Sequence, residues 1–224
     1  MATPLLVLWD IDHTLIETRG VGGQVYAEAF AKVTGHPLER EPELAGRTEP
    51  VIFREALKVN GVDPDEDLYT QFAAEQARAY AAHLDELRTR GRALPGAADA
   101  LRALSERDDV LQSVLTGNTR PSSEIKLRAF DLDRYLDFDI GAYGTDNDTR
   151  ANLVDIPIRQ QSRVLVFHNR DSISRRQRRP ANGDRRRASP YWTGGMESAQ
   201  IRHPHRAISV PLTPVITRTT RGLG

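Results

Sequence analysis

Apolar residues gather into short runs that end abruptly in polar ones: Leu5-Leu6-Val7-Leu8-Trp9, Val110-Leu111-Gln112-Ser113-Val114-Leu115 and Val164-Leu165-Val166-Phe167. Runs this short, rich in Val and Leu, predict buried strands. Between the first two the spacing turns helical. Val25, Ala29 and Val33 share one face, and Ile52, Ala56 and Val59 another. Asp67 to Arg90 is a long Ala- and Glu-rich segment that Gly91 closes as a C-cap. Pro95-Gly96 restarts the alternation, with helices predicted over 97–107, 122–130 and 146–156 and a short strand over 135–140. Strands alternating with helices predict an α/β fold on a parallel sheet.

The chemistry sits at the ends of the first two strands. Asp10-Ile11-Asp12-His13-Thr14 follows the first, and Thr116-Gly117-Asn118 follows the second. In open α/β sheets ligands gather beyond the carboxyl ends of the strands. Two carboxylates two residues apart leave an extended chain pointing the same way. A hydroxyl, a permissive glycine and a following helix N-terminus make an anion site. Taken alone, a D-x-D is as readily a strand end and a helix cap, and T-G-N a plain strand-to-helix turn.

Together, the apolar strand with D-x-D-x-T-L and a T-G-N about a hundred residues later resemble the first two motifs of the haloacid dehalogenase superfamily of phosphohydrolases. The resemblance covers roughly residues 5–155. It implies a Rossmann-like parallel sheet core over 1–16 and 95–171. An inserted helical cap over 17–94 is similar to that of the phosphoglycolate phosphatase-like branch. It also implies roles for single residues. Asp10 is expected to be the nucleophile that forms an aspartyl-phosphate, and Asp12 the acid and base. That second acid argues against a dehalogenase. Thr14, Thr116, Gly117 and Asn118 are expected around the phosphate. Lys126 is preferred as the balancing cation, with Arg150 as the alternative. Arg47, in a loop between cap helices, is placed to meet an anionic substrate group, although a loop arginine is equally a solvated charge. Gly20, Gly22 and Gly23 stand where hinge residues would.

The family's magnesium site draws on Asp10, the backbone carbonyl of Asp12 and an acid from a later G-D-x-x-x-D motif. Here the chain reads Val164-Leu165-Val166-Phe167-His168-Asn169-Arg170-Asp171, with Asp171 the one nearby carboxylate to complete a Mg2+ site. The expected activity is magnesium-dependent hydrolysis of a small phosphate monoester, phosphoglycolate-like or a sugar phosphate, impaired to the extent that this motif is lost.

Composition sharpens the departure. Net charge is zero overall, but residues 1–155 carry 17 Lys and Arg against 28 Asp and Glu, and residues 156–224 carry 14 Arg, no Lys and three acids. Residues 172–224 lack helix or strand periodicity and are expected to be an irregular or disordered tail. Such arginine-, proline- and serine-rich sequence is what out-of-frame translation of GC-rich DNA yields, which points to a frame change near residue 156. An evolved nucleic-acid-binding tail on an inactive phosphate-binding protein is the weaker alternative, because aromatic residues are not interleaved with the arginines. The absence of cysteine excludes disulfides and thiolate chemistry. No apolar stretch reaches membrane-spanning length, and no basic segment precedes an apolar one near residue 1. A cytoplasmic protein acting on a small phosphorylated metabolite is expected, with no membrane partner.

Overall fold

The computed structural model describes residues 5–44, 47–65, 67–148, 153, 164–168, 199–203, 206–210 and 213–217. Strand β1 (Leu5–Trp9) lies at the centre of the sheet. It pairs in parallel with a strand at Val110–Val114 on one side and with one at Val164–His168 on the other. Because side chains alternate across a strand, β1 supplies two cores. Val7 and Trp9 pack with Ala100, Leu101, Val114 and Leu127, whereas Leu6 and Leu8 pack with Leu115, Leu153, Val164 and Val166. Burial on both faces explains why β1 reads as a continuous apolar run. Trp9 stacks on Phe167 with ring centroids 4.6 Å apart. Its indole N–H donates to Gln112 Oε1 at 3.1 Å, and Gln112 in turn donates to the Leu101 carbonyl at 2.8 Å. The polar residue inside the second apolar run is thus fully engaged.

A two-residue ribbon joins the sheet to a helical insertion. Strand β2 (Ile16–Glu17) pairs antiparallel with β3 (Arg92–Ala93). Between them lie α1 (Val21–Thr34), α2 (Glu49–Val59), α3 (Leu68–Ala82) and α4 (Leu84–Arg90). Phe30, Phe53 and Phe72 anchor the core of the insertion. Val21, Val25, Tyr80 and Leu87 pack instead with Ile125, Ala129 and Phe130, which belong to the sheet half. After β3 follow α5 (Ala97–Ser105), β4 (Val110–Val114), α6 (Arg120–Arg128) and β5 (Val164–His168). Gly20, at the first junction, caps α1 with φ 90°, a left-handed conformation that favours glycine. Gly22 and Gly23 lie inside the first turn of that helix.

The segment 67–90, read as one element, is two helices broken at His83. The His83 imidazole lies 2.8 Å from Glu28 through Nε2 and 2.9 Å from Glu86 through Nδ1. Both nitrogens therefore donate only in the imidazolium form, and these hydrogen bonds raise the pKa above the usual histidine value. A raised folded-state pKa contributes stability that is full below the unfolded value and fades as pH climbs through the folded one. The melting-temperature gap between wild type and His83→Gln should accordingly shrink steadily from pH 5.5 to 9. A gap independent of pH would contradict this assignment.

Residues 135–140, expected as a strand, instead form parts of two 3-10 turns, Asp133–Tyr135 and Phe138–Ile140. Local capping wins there. The Asp137 carboxylate accepts from Asp139 N–H at 3.0 Å, and Tyr143 Oη donates to the Phe138 carbonyl at 2.7 Å. The extended pairing falls slightly later, as a parallel bridge between Leu115 and Ala142. Of the helix expected over 146–156, residues 149–152 and 154–156 lie outside the described residues. Of the arginine-rich tail, the described residues form β6 (Ala199–His203), β7 (Arg206–Val210) and β8 (Thr213–Thr217). The first two pair with each other, and β8 adds antiparallel to β5, giving the sheet order β4-β1-β5-β8. The expectation for 172–198 lies outside the described residues.

Candidate active site

Sheet pairing runs on past β1 and fixes Asp10. Its N–H donates to the Phe167 carbonyl at 2.8 Å, while Leu115 N–H donates to the Trp9 carbonyl at 2.8 Å. Asp10 therefore sits between two parallel neighbours at their carboxyl ends, buried, with Oδ1 accepting from Ile11 N–H at 2.9 Å. The chain then turns sharply. His13 takes φ 60°, and Leu15 N–H returns to the Ile11 carbonyl at 2.9 Å. This turn presents Asp12 toward the end of β4 and buries Thr14.

From β4, Thr116 is fully buried, and its Oγ1 accepts from Asn118 N–H at 3.2 Å and from Asn118 Nδ2 at 2.7 Å. Asn118 Nδ2 also donates to Asp12 Oδ2 at 2.8 Å, while Asn118 Oδ1 accepts from Lys126 Nζ at 2.8 Å. The Lys126 ammonium closes the circuit on Asp12, 3.1 Å from Oδ1 and 3.0 Å from Oδ2. Helix α6 aims it there. Thr119 Oγ1 caps the helix by accepting from Ser122 N–H, and Pro121 occupies the first turn, so Ser122, Ser123, Lys126 and Leu127 form its buried face. The ammonium also lies 5.1 Å from the centre of the Tyr80 ring.

The charges hold one another in place. Burial favours neutral Asp12, but the Lys126 charge and the Asn118 hydrogen bond outweigh it and keep the carboxyl below its ordinary pKa. Burial likewise opposes the Lys126 charge, and Asp12, Tyr80 and Glu49 outweigh it, so Lys126 stays cationic. The Asp12 side chain keeps 36% of its surface exposed, against 5% for Lys126. The carboxylate is thus the more solvent-exposed member of the pair.

The loop between α1 and α2 meets the T-G-N turn backbone to backbone. Glu49 N–H donates to the Gly117 carbonyl at 2.9 Å, and Gly144 N–H donates to the Asn118 carbonyl at 2.9 Å. Arg47 brings its backbone here, not its charge. A Cβ on Gly117 would lie 2.6 Å from the Arg47 carbonyl, while the Arg47 guanidinium pairs with Glu43 at 2.7 Å and with Glu55. Arg150 and Asp171 lie outside the described residues.

Three residues absent from the sequence reading join this site. The fully buried Ser122 donates through Oγ to Gln76 Oε1 at 3.0 Å, and Gln76 Nε2 donates to Glu49 Oε1. This relay crosses from α6 to α3 to α2, linking residues 46 and 27 positions apart, which no local pattern reveals. The one available signal was the position of Glu49, two residues after Arg47. Burial pushes the Glu49 carboxyl above its ordinary range, with the Gln76 hydrogen bond and Lys126 working against that.

The family model for haloacid dehalogenase-like hydrolases matches residues 7–155. This chain belongs to that family. Among solved structures, one of CbbY from Rhodobacter sphaeroides in complex with xylulose-1,5-bisphosphate is similar at 19% identity, with a TM-score of 0.55 over 73% of this chain and 76% of that one. Another, of CbbY with phosphate, gives 19% identity and a TM-score of 0.51 over the same shares. A predicted phosphoglycolate phosphatase from Haemophilus somnus 129PT is 19% identical, with a TM-score of 0.47 over 65% of this chain. The match spans 64% of that protein's length. No curated protein sequence matches the chain. At these identities the likeness concerns the fold.

Proposed function

We propose that this hydrolase is a phosphatase that cleaves a small phosphate monoester through an aspartyl-phosphate on Asp10, with residues 17–94 as a cap over a core of 1–16 and 95–171. The observation that carries the reading is the closed circuit of Asp12, Asn118, Thr116 and Lys126 beside Asp10, at the carboxyl ends of β1 and β4. In the first step an Asp10 oxygen attacks phosphorus and the ester P–O bond breaks. Asp12 gives its proton to the departing alkoxide. Lys126 keeps Asp12 ionised before substrate arrives, so Asp12 takes that proton from the monoprotonated ester as it binds, and the phosphate dianion so formed comes to share the Lys126 charge. In the second step Asp12 accepts a proton from water as the water attacks phosphorus, releasing phosphate and restoring Asp10. Thr116 and the amide groups of the T-G-N turn hold phosphoryl oxygens, and Asn118 keeps Asp12 and Thr116 in register.

Magnesium is a hard cation that takes oxygen ligands, and among the described residues no cluster of three candidate ligand side chains is present. Asp10 supplies a carboxylate. By the family's pattern the donor at residue 12 would be its backbone carbonyl, its carboxylate being engaged by Lys126 and Asn118, and Asp171 would be the remaining acid. When bound, magnesium neutralises charge on the phosphoryl oxygens. Among the described residues no helix is long and apolar enough to cross a membrane. A panel of phosphate esters assayed with and without magnesium, on wild type and Asp10→Asn, tests the reading. Turnover should require magnesium and vanish in Asp10→Asn. Turnover that survives the substitution would dismiss Asp10 as the nucleophile.

A further inference from the structure

Helix α3 of the insertion meets α6 of the sheet half at two places, in the same order along both helices. Gln76 Oε1 accepts from Ser122 Oγ at 3.0 Å, and Lys126 Nζ lies over the Tyr80 ring, 5.1 Å from its centre. Gln76 and Tyr80 are four residues apart, as are Ser122 and Lys126, so each pair shares one helix face. All four side chains are buried. The hydrogen bonds at the first contact run in one direction: Thr119 Oγ1 donates to Ser122 Oγ at 3.0 Å, Ser122 Oγ to Gln76 Oε1, and Gln76 Nε2 to Glu49 Oε1. The Gln76 amide is thereby held at both ends. At the second contact the far end of the Tyr80 ring rests on α1, where a Cβ on Gly22 would lie 3.3 Å from the phenol oxygen. Two separate helices of the insertion thus fix the surface that α6 meets.

A lysine ammonium is a point charge on a flexible four-carbon stem, so its surroundings must impose a working position on it. Asp12 and Asn118 do so in the resting site. During the reaction a phosphoryl group draws on the same ammonium, and the hold of Asp12 on it weakens. An aromatic face attracts the cation whichever anion is its partner. The ring is therefore a restraint that survives the exchange. Resting on the phosphatase reading above, we propose that Tyr80 and Gln76 are positioning residues for Lys126: the ring holds the ammonium, and the bond from Ser122 to Gln76 holds the first turn of the helix that carries it. The insertion then supports phosphoryl transfer itself, whatever alcohol departs.

The test follows turnover of p-nitrophenyl phosphate by the full chain. Tyr80→Leu should lower kcat about tenfold, the scale of a desolvated cation–ring contact, with KM little changed. Tyr80→Phe keeps the ring face and should restore most of that loss. Gln76→Leu should lower kcat about fivefold, the loss of one neutral hydrogen bond. Both leucine variants are then repeated in a Lys126→Met background. Residues that act through Lys126 have nothing left to position there, so each should cost less than about twofold more, whereas a merely structural role carries its full cost into both backgrounds. If Tyr80→Leu does not fold, Tyr80→Met, unbranched and adaptable in a core, carries the same expectation. Equal losses in both backgrounds overturn the positioning role and leave the phosphatase reading intact. So does Tyr80→Phe falling as far as Tyr80→Leu, or Lys126→Met retaining wild-type activity. Failure of wild type to hydrolyse any phosphate ester overturns both readings.

Discussion

Lys126→Met is expected to lower kcat/KM by about 10²- to 10³-fold, the scale associated with removing one preorganised charge or donor at a site where negative charge develops. The buried ammonium is the one cation in the Asp12–Asn118–Thr116 circuit. Methionine keeps much of its volume against Tyr80 while removing the charge. Activity within threefold of wild type would reject Lys126 and return attention to Arg150. The stability consequences should run the other way. Removing Lys126 leaves Asp12, with a third of its side chain exposed, free to turn toward water. Asp12→Ala instead strands a 5% exposed ammonium with Asn118 and the Tyr80 ring but without its carboxylate partner. Breaking a buried pair is costly mainly for the charge left behind. Asp12→Ala should therefore lose on the order of 2–3 kcal/mol in urea unfolding, the low end for a buried pair because Asp12 is partly solvated. Lys126→Met should lose clearly less, and an equal or reversed order would contradict the asymmetry.

Gly144→Ala should be among the most damaging small substitutions in the chain. A Cβ there would lie 1.9 Å from the Gly117 carbonyl oxygen and 3.1 Å from Glu49 N. Both obstacles are backbone, and a rotamer change cannot relieve them. Overpacking of this kind costs about 1–3 kcal/mol or more, and relief must come from moving the turn that carries Asn118. Activity should fall together with the urea midpoint. Gly23→Ala is the control, since nothing lies within 4 Å of its Cβ position inside α1. It should gain roughly 0.5–1 kcal/mol, the difference in helix preference. A Gly144→Ala protein with native midpoint and activity would show that the close approach of Gly144 to Gly117 and Glu49 is dispensable.

The parallel sheet was legible because β1 is buried on both faces and so is written in unbroken apolar residues, with its chemistry immediately after. Helices α1 and α2 were legible from their spacing. The break at His83 was not, and the ring there is held partly by Glu28, a residue 55 positions away. Residues 135–140 misled because Tyr135, Leu136 and Phe138 have strand-like composition, and aspartate capping decides against them. Asp10, Asp12, Thr116 and Asn118 stood out by motif. Lys126 was preferred over Arg150 from its place ten residues after Thr116, in the helix that follows T-G-N. Its burial depends on Thr119, Pro121 and Ser122 setting the phase of α6, and on Asp12, 114 residues earlier. Glu49 and Gln76 are invisible for the same reason, since ordinary helix-compatible residues acquire meaning when α2, α3 and α6 converge.

The ribbon of β2 and β3 has a topological consequence. Ile16 lies opposite Ala93, and Leu94 N–H donates to the Leu15 carbonyl at 2.8 Å, so the chain leaves the sheet and re-enters it at almost the same point. Loop-closure entropy grows only logarithmically with length, so the parent sheet tolerates four intervening helices nearly as well as a short turn. The chain crosses between the two halves at one narrow place, while Val21, Val25, Tyr80 and Leu87 of the insertion also pack on Ile125, Ala129 and Phe130. Exchanging everything between Glu17 and Arg92 for a tight hairpin, or for another helical unit with equally close ends, should keep the register of β1 with β4 and β5 but remove the packing of Tyr80 and Leu87 on the α6 half.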